Sequence, residues 1–299
     1  MALAVRQPSC LNLPHWSGGV AILLAGFSAL FYGAADFCGG LAARKSPLFA
    51  VLVISQAIGL ALAIAASAVL GVGLPPVRDL AWGALAGLCG AVGVATLYSA
   101  LATTIVAVAS PVAAVIGAAI PMLLGVATGD RPAILSWVGI ALAIPAIVLL
   151  TAGPVEKGGG GKLRKAVWLG IVAGVSFGLF FSAISRTSAG SGLWPLVSAR
   201  ITVVSLVLLF ALFTRRSLRV SASNLPMVFL AGLLDMGANI AFLLASRSGM
   251  LTIVAVIDSL YPGPTVLLAW LVLRERMSRL RVAGLVLALA GVALISARG

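Results

Sequence analysis

The chain has 299 residues, 62% of them hydrophobic and 9% charged, with a formal net charge of +13. A soluble domain carries roughly a quarter charged residues because its surface faces water, so this composition excludes one of any size. The basic excess does not indicate nucleic acid either. The lysines and arginines sit in short gaps between apolar runs, where they anchor loops against anionic lipid and set topology, and no basic stripe with interleaved aromatics exists.

The chain opens with Arg6, Pro8, Pro14 and the one histidine, His15, beside Trp16. The apolar run that follows is too long for a cleavable signal peptide, and no convincing cleavage site follows it. Apolar segments are then expected at 18–43, 48–73, 80–101, 104–128, 133–153, 166–187, 193–213, 225–247, 250–273 and 279–297. Each approaches the ~20 residues that cross a hydrocarbon core of ~30 Å. The interruptions, such as Arg44-Lys45-Ser46-Pro47, Pro75-Pro76-Val77-Arg78-Asp79 and Arg215 to Asn224, mix helix stops with charge, as helix ends at a membrane face do. The gap at Thr103-Thr104 carries no charge, which leaves nine segments as the alternative count. Cys10, Cys38 and Cys89 are scattered, and their spacing gives neither a disulfide framework nor a metal site.

Four ionisable groups fall inside the apolar segments: Asp36 in the first, Arg200 in the seventh, Asp235 in the eighth and Asp258 in the ninth. Each is costly in hydrocarbon and normally faces a cavity or a partner. Asn239 follows Asp235 by one helical turn, so the two share a face. A carboxylate facing a cavity holds a cationic group or exchanges a proton. Arg200 is suited to a substrate carboxylate, or to neutralising an aspartate. A structural ion pair is the competing reading for each. In the ninth segment Pro262 and Pro264 flank Gly263 after Tyr261, so the helix is expected to kink or break there and expose backbone groups. Glycines at four-residue spacing, Gly170, Gly174 and Gly178, favour close helix packing.

The longest gap, 154–165, holds Gly158 to Gly161 between lysines and an arginine and reads as a flexible linker near the middle of the chain. On either side lies a repeat. Leu85-Ala86-Gly87-Leu88 recurs as Leu230-Ala231-Gly232-Leu233, and at the same shift Arg131 meets Arg276, Gly139 meets Gly284 and Asp130 meets Glu275. A shift three residues longer pairs Gly26 with Gly174 and Pro47-Leu48 with Pro195-Leu196. The expectation is therefore an all-α integral membrane protein of about ten transmembrane helices arranged as two five-helix repeats inverted relative to one another. The repeats occupy 1–153 and 166–299.

The two acid-Arg runs, Asp130-Arg131 through Leu135 to Gly139 and Glu275-Arg276 through Leu280 to Gly284, resemble the drug/metabolite transporter superfamily, specifically its EamA-like ten-helix branch. Tyr98-Ser99-Ala100-Leu101, Leu260-Tyr261-Pro262 and Pro195 followed by Arg200 fit the same likeness, which covers almost the whole chain. The sequence departs from that pattern at Asp130, where glutamate is usual. Leu52 stands where an arginine would match Arg200, and Tyr32-Gly33-Ala34-Ala35-Asp36 replaces a tryptophan-glycine start followed by asparagine, so Asp36 has no family role.

The resemblance implies a secondary transporter that exports a small metabolite, an amino acid or related compound, by alternating access, as a multi-pass protein of a bacterial inner membrane. The candidate substrate-binding residues are Tyr32, Asp36, Tyr98, Arg200, Asp235, Asn239, Asp258 and Tyr261, with the helix break at Pro262, Gly263 and Pro264. The reading has a small-molecule substrate and the lipid bilayer as partners, a monomer, and no metal, cofactor, nucleic acid or enzymatic activity, since no His pair, phosphate loop or Ser-His constellation is present. A non-transporting polytopic protein, a lipid-handling or assembly subunit, is the alternative. Lysine and arginine counts place both termini outside, whereas the resemblance implies cytoplasmic termini, so orientation stays open.

Overall fold

The computed structural model describes residues 18–127, 134–151, 160–184, 186–246, 260–274 and 277–296. These form ten α-helices: α1 Gly18–Lys45, α2 Leu48–Val69, α3 Val77–Thr103, α4 Val106–Ala127, α5 Ile134–Thr151, α6 Gly160–Ile184, α7 Trp194–Phe213, α8 Leu225–Ser246, α9 Pro262–Leu273 and α10 Arg279–Ser296. No strand occurs among the described residues. Six helices, α1, α2, α3, α6, α7 and α8, are long and apolar enough to cross a membrane.

Local chemistry sets most boundaries. α2 ends at Val69, four residues short of the expected segment, because Gly71 takes a left-handed backbone (φ 61°) that glycine adopts without steric cost. Pro76 precedes α3 and Pro195 lies in the first turn of α7, where a missing backbone donor costs nothing. α6 starts at Gly160, six residues inside the stretch expected to be a linker. Lys162, Leu163, Arg164 and Lys165 are good helix formers, and Leu163 packs on the core formed by α4, α5, α6 and α10, which holds that turn in place. α9 starts at Pro262, with Leu260 and Tyr261 in a turn before it.

The helices pack in a bundle in which the main contacts join the first five helices to the last five: α1 with α8, α3 with α6 and α7, α4 with α6, and α5 with α10. The core that results is rich in alanine and valine, with Ala42, Ala63, Ala166, Ala173 and Ala231 fully buried. Small side chains let helix backbones approach closely, which is how helices associate in lipid. Glycine takes this further at three crossings. A Cβ on Gly87 would strike the Ala199 carbonyl of α7, one on Gly232 would strike the Ser55 carbonyl of α2, and one on Gly174 would lie 2.6 Å from the Ala113 carbonyl of α4. Many large side chains point outward: Leu23, Phe27, Ile144, Trp168, Phe210, Trp270 and Val286 are all exposed. In water such a surface invites association. In a bilayer it is the solvated face.

Hydrogen bonds tie the helix ends together at two levels. At one, Trp194 Nε1 donates to the Val72 carbonyl (2.9 Å) and Ser198 Oγ to that of Leu80 (2.7 Å). At the other, Arg44 donates from Nε and Nη2 to the Leu101 carbonyl (3.1 and 2.9 Å). The arginines and lysines of the α1, α7 and α9 C-termini and the α6 and α10 N-termini share this second level by helix direction.

Candidate substrate site

The candidate site is built around Arg200. It lies six residues into α7, about 9 Å along a helix rising 1.5 Å per residue, and is only 8% exposed. Its Nη2 stands 2.5 Å from Asp235 Oδ2 on α8, and its Nη1 donates to Gln56 Oε1 on α2. Gly59 of α2 borders the guanidinium, and a Cβ there would sit 3.7 Å from Nε, in ordinary contact. Met236, fully buried, packs with Ala63 and Val197 beside it. A buried ion pair is tolerable when its remaining donors and acceptors are satisfied. Gln56 takes one of the remaining guanidinium donors.

Asp235 lies near the middle of the 22-residue α8. Asn239 follows one turn later and donates from Nδ2 to the Asp235 carbonyl (2.8 Å), so the expected shared face is present. α1 runs along α8, fixed by Ser28 Oγ donating to the Ala238 carbonyl (3.0 Å). This packing places Asp36 within electrostatic range of Asp235. Tyr98 of α3, 2% exposed, presses its ring and hydroxyl against Gly39 of α1, less than a turn from Asp36. It senses the charges of Asp235, Asp36 and Arg200. One turn before Asp36 on the same face of α1, Tyr32 meets Tyr261 edge to face, ring centroids 6.3 Å apart. Thr265 Oγ1 of α9 donates to the Gly33 carbonyl (3.1 Å) and seats the start of α9 there.

The structure thus brings together Asp36, Tyr98, Arg200, Asp235 and Asn239, with Tyr32, Tyr261, Pro262 and Pro264 along the same stretch of α1, where Gly33 admits the Tyr261 carbonyl and the Pro264 ring. Asp258 lies outside the described residues, as do the Asp130-Arg131 and Glu275-Arg276 pairs. One member escaped the sequence reading: Gln56. It is the one strongly polar side chain of α2, a signal that a search restricted to ionisable groups passes over. Among the described residues no group of three or more His, Cys, Asp or Glu side chains is placed to hold a metal ion.

A polar ion-pair cluster inside an alanine-rich bundle of membrane-length helices defines a polytopic membrane protein with a buried charged centre. Residues 164–297 match the EamA-like transporter family. A curated relative from Streptantibioticus cattleyicolor, named "Probable terminal-alkyne amino-acid exporter", is 33% identical over 145 residues. That match covers 46% of this chain and 47% of the relative, about half the length of each. A protein of known crystal structure shares the fold with a TM-score of 0.63 at 18% identity, over 92% of this chain and 96% of its own.

Proposed function

We propose that this chain is a secondary transporter that exports an amino acid or related compound across a bacterial inner membrane by alternating access between two inverted five-helix repeats. The observation that carries the reading is the Arg200–Asp235–Gln56 cluster. It places a buried, charged, hydrogen-bonded centre where helices from before and after residues 152–159 meet, and intramembrane ionisable groups mark substrate or ion pathways.

Several features support the repeat. The α1–α8 contact has its counterpart in α6–α3, and α2–α8 in α7–α3. Gly87 and Gly232, one repeat shift apart, both close onto the second helix of the opposite half. Such swapped pairs are what a two-fold relation between the halves requires, and inverted repeats place the binding site at their interface. The half-length match to an amino-acid exporter supports the substrate class.

In this reading the zwitterionic substrate presents its carboxylate to Arg200 and its ammonium to Asp235, exchanging one set of ion pairs for another. Asn239 and the Tyr32–Tyr261 edge shape the remainder. The test is counterflow of radiolabelled L-propargylglycine, a small terminal-alkyne amino acid, alongside standard amino acids, into proteoliposomes of the purified full chain. Saturable exchange that falls at least tenfold in Asp235→Ala and in Asn239→Ala is expected. Wild-type rates in both variants overturn the site, and no exchange of any amino acid overturns the transport reading.

A further inference from the structure

The guanidinium of Arg200 has two kinds of partner. Its Nη1–Nη2 edge, one that can receive a carboxylate as a fork, is split between Asp235 Oδ2 at Nη2 (2.5 Å) and Gln56 Oε1 at Nη1. The first partner is a carboxylate and the second a neutral amide. Gln56 is 1% exposed and lies where α2 is pressed against α8, the Ser55 carbonyl beside it meeting Gly232. α2 carries no ionisable side chain along its length. Gly59, less than a turn after Gln56, brings no polar side chain to the guanidinium that it borders. One guanidinium, one carboxylate and one amide together sum to zero charge. Glutamate has nearly the same volume as glutamine and would bind the arginine more strongly, so the amide at this position is not explained by the strength of the contact.

Resting on the transport reading above, we infer that Gln56 is the specificity-determining residue for the substrate carboxylate: its amide oxygen occupies Nη1 in the empty site and yields that donor to the carboxylate of an incoming amino acid. A guanidinium bonds a neutral acceptor less strongly than a carboxylate, so the incoming carboxylate displaces Gln56 and not Asp235. Asp235 keeps Nη2 and receives the ammonium. A zwitterion adds one charge of each sign, so the three side chains and their ligand sum to zero before and after binding. With a glutamate at position 56, Nη1 would be held by a permanent carboxylate and the three side chains would carry one negative charge. The matched ligand would then be an ammonium without a carboxylate. A mismatch of one charge is far more costly in a buried site than in water. Asp36 on the neighbouring α1 is the same in every variant compared, so a change at position 56 isolates the effect of the added charge.

The test measures binding to the purified full chain in detergent by ligand-induced thermal stabilisation, since small amines cross lipid unaided. The probes are L-propargylglycine and but-3-yn-1-amine, the same molecule with hydrogen in place of the carboxylate. Where another amino acid gives the stronger counterflow, it and its decarboxylated amine take their place. The wild type is expected to prefer the amino acid by about tenfold or more. Gln56→Glu is expected to reverse the order, losing about tenfold for the amino acid and gaining for the amine. Gln56→Met keeps the volume and the neutrality but has no amide to displace. It is expected to retain the wild-type preference and to bind the amino acid at least as tightly. A purely structural role for Gln56 gives another pattern, in which both variants lose both ligands together. That pattern, or a Gln56→Glu that still prefers the amino acid, overturns the inference while leaving the transport reading standing. Absence of wild-type counterflow for every amino acid removes both.

Discussion

The first turns of α3 and α8 make an instructive pair. Asp79 and Asn224 are separated by the same 145 positions as Leu85 and Leu230, and each reaches from the start of its helix to the end of the first helix of the other half or the loop beyond it. Asp79, 4% exposed, accepts from the Ser188 amide (3.0 Å) and from the Ser188 and Ser191 hydroxyls, all on Oδ2. Asn224 donates from Nδ2 to the Ala42 carbonyl (2.9 Å) and to Ser46 Oγ (2.7 Å). The two ends of the bundle are therefore tied by related positions with opposite hydrogen-bonding roles. One tie is a carboxylate that gathers three donors, the other a neutral amide. Charge-assisted bonds are the stronger kind, so the Asp79 end is held more firmly than the Asn224 end.

The same asymmetry is sharper at the centre. The position matching Arg200 is Leu52, and the one matching Asp235 is Gly90, so the ion pair exists on one side only. Replacing Asp235 by alanine leaves the Arg200 charge buried without its partner, an effect of about 3–5 kcal/mol. Arg200→Leu alone leaves Asp235 in the same position. The double variant, Arg200→Leu with Asp235→Ala, gives this side residues like those opposite, and it is expected to be more stable than either single variant in a detergent thermal melt. A double variant that is merely the sum of the singles would show that the pair contributes no coupling.

Next in size is the comparison of the two ties. Asp79→Ala is expected to lower the melting temperature by more than Asn224→Ala, because it orphans three donors rather than leaving one carbonyl and one hydroxyl short of a donor. Equal losses would remove the difference argued from charge. The smallest effects come from the matched glycines Gly26 and Gly174. A Cβ at Gly174 meets the Ala113 carbonyl at 2.6 Å, whereas nothing lies within 4 Å of one at Gly26. Gly174→Ala is expected to destabilise by about 1–3 kcal/mol through overpacking, and Gly26→Ala to be neutral or to gain up to about 1 kcal/mol from helix propensity. Thermal melts of the two single variants, side by side, decide it.

Much of this was legible in the sequence because hydrocarbon leaves few choices. Apolar runs of membrane length located eight helices to within a few residues and α6 to within six at its start, and the ninth segment is described only from Leu260 onward. What was not legible is tertiary. Asp235 and Arg200 are visible as costly groups, but nothing in a linear pattern says that they pair with one another, or that Gln56 completes the pair. Asp79 looks like ordinary helix-end punctuation, and its three donors come from more than a hundred residues away. The early start of α6 at Gly160 depended on a leucine finding a core, which composition alone does not reveal.

The central claim is that the two ends open in turn around a shared site, and reversible cross-linking tests it most directly. In a background with Cys10, Cys38 and Cys89 replaced, one variant carries Asp79→Cys with Ser188→Cys and another carries Ser46→Cys with Asn224→Cys. Each is bridged with a short cleavable reagent, and amino-acid counterflow is measured before bridging, after bridging and after reduction. The account predicts that locking either end alone stops counterflow and that reduction restores it. Counterflow continuing with one end locked would contradict it.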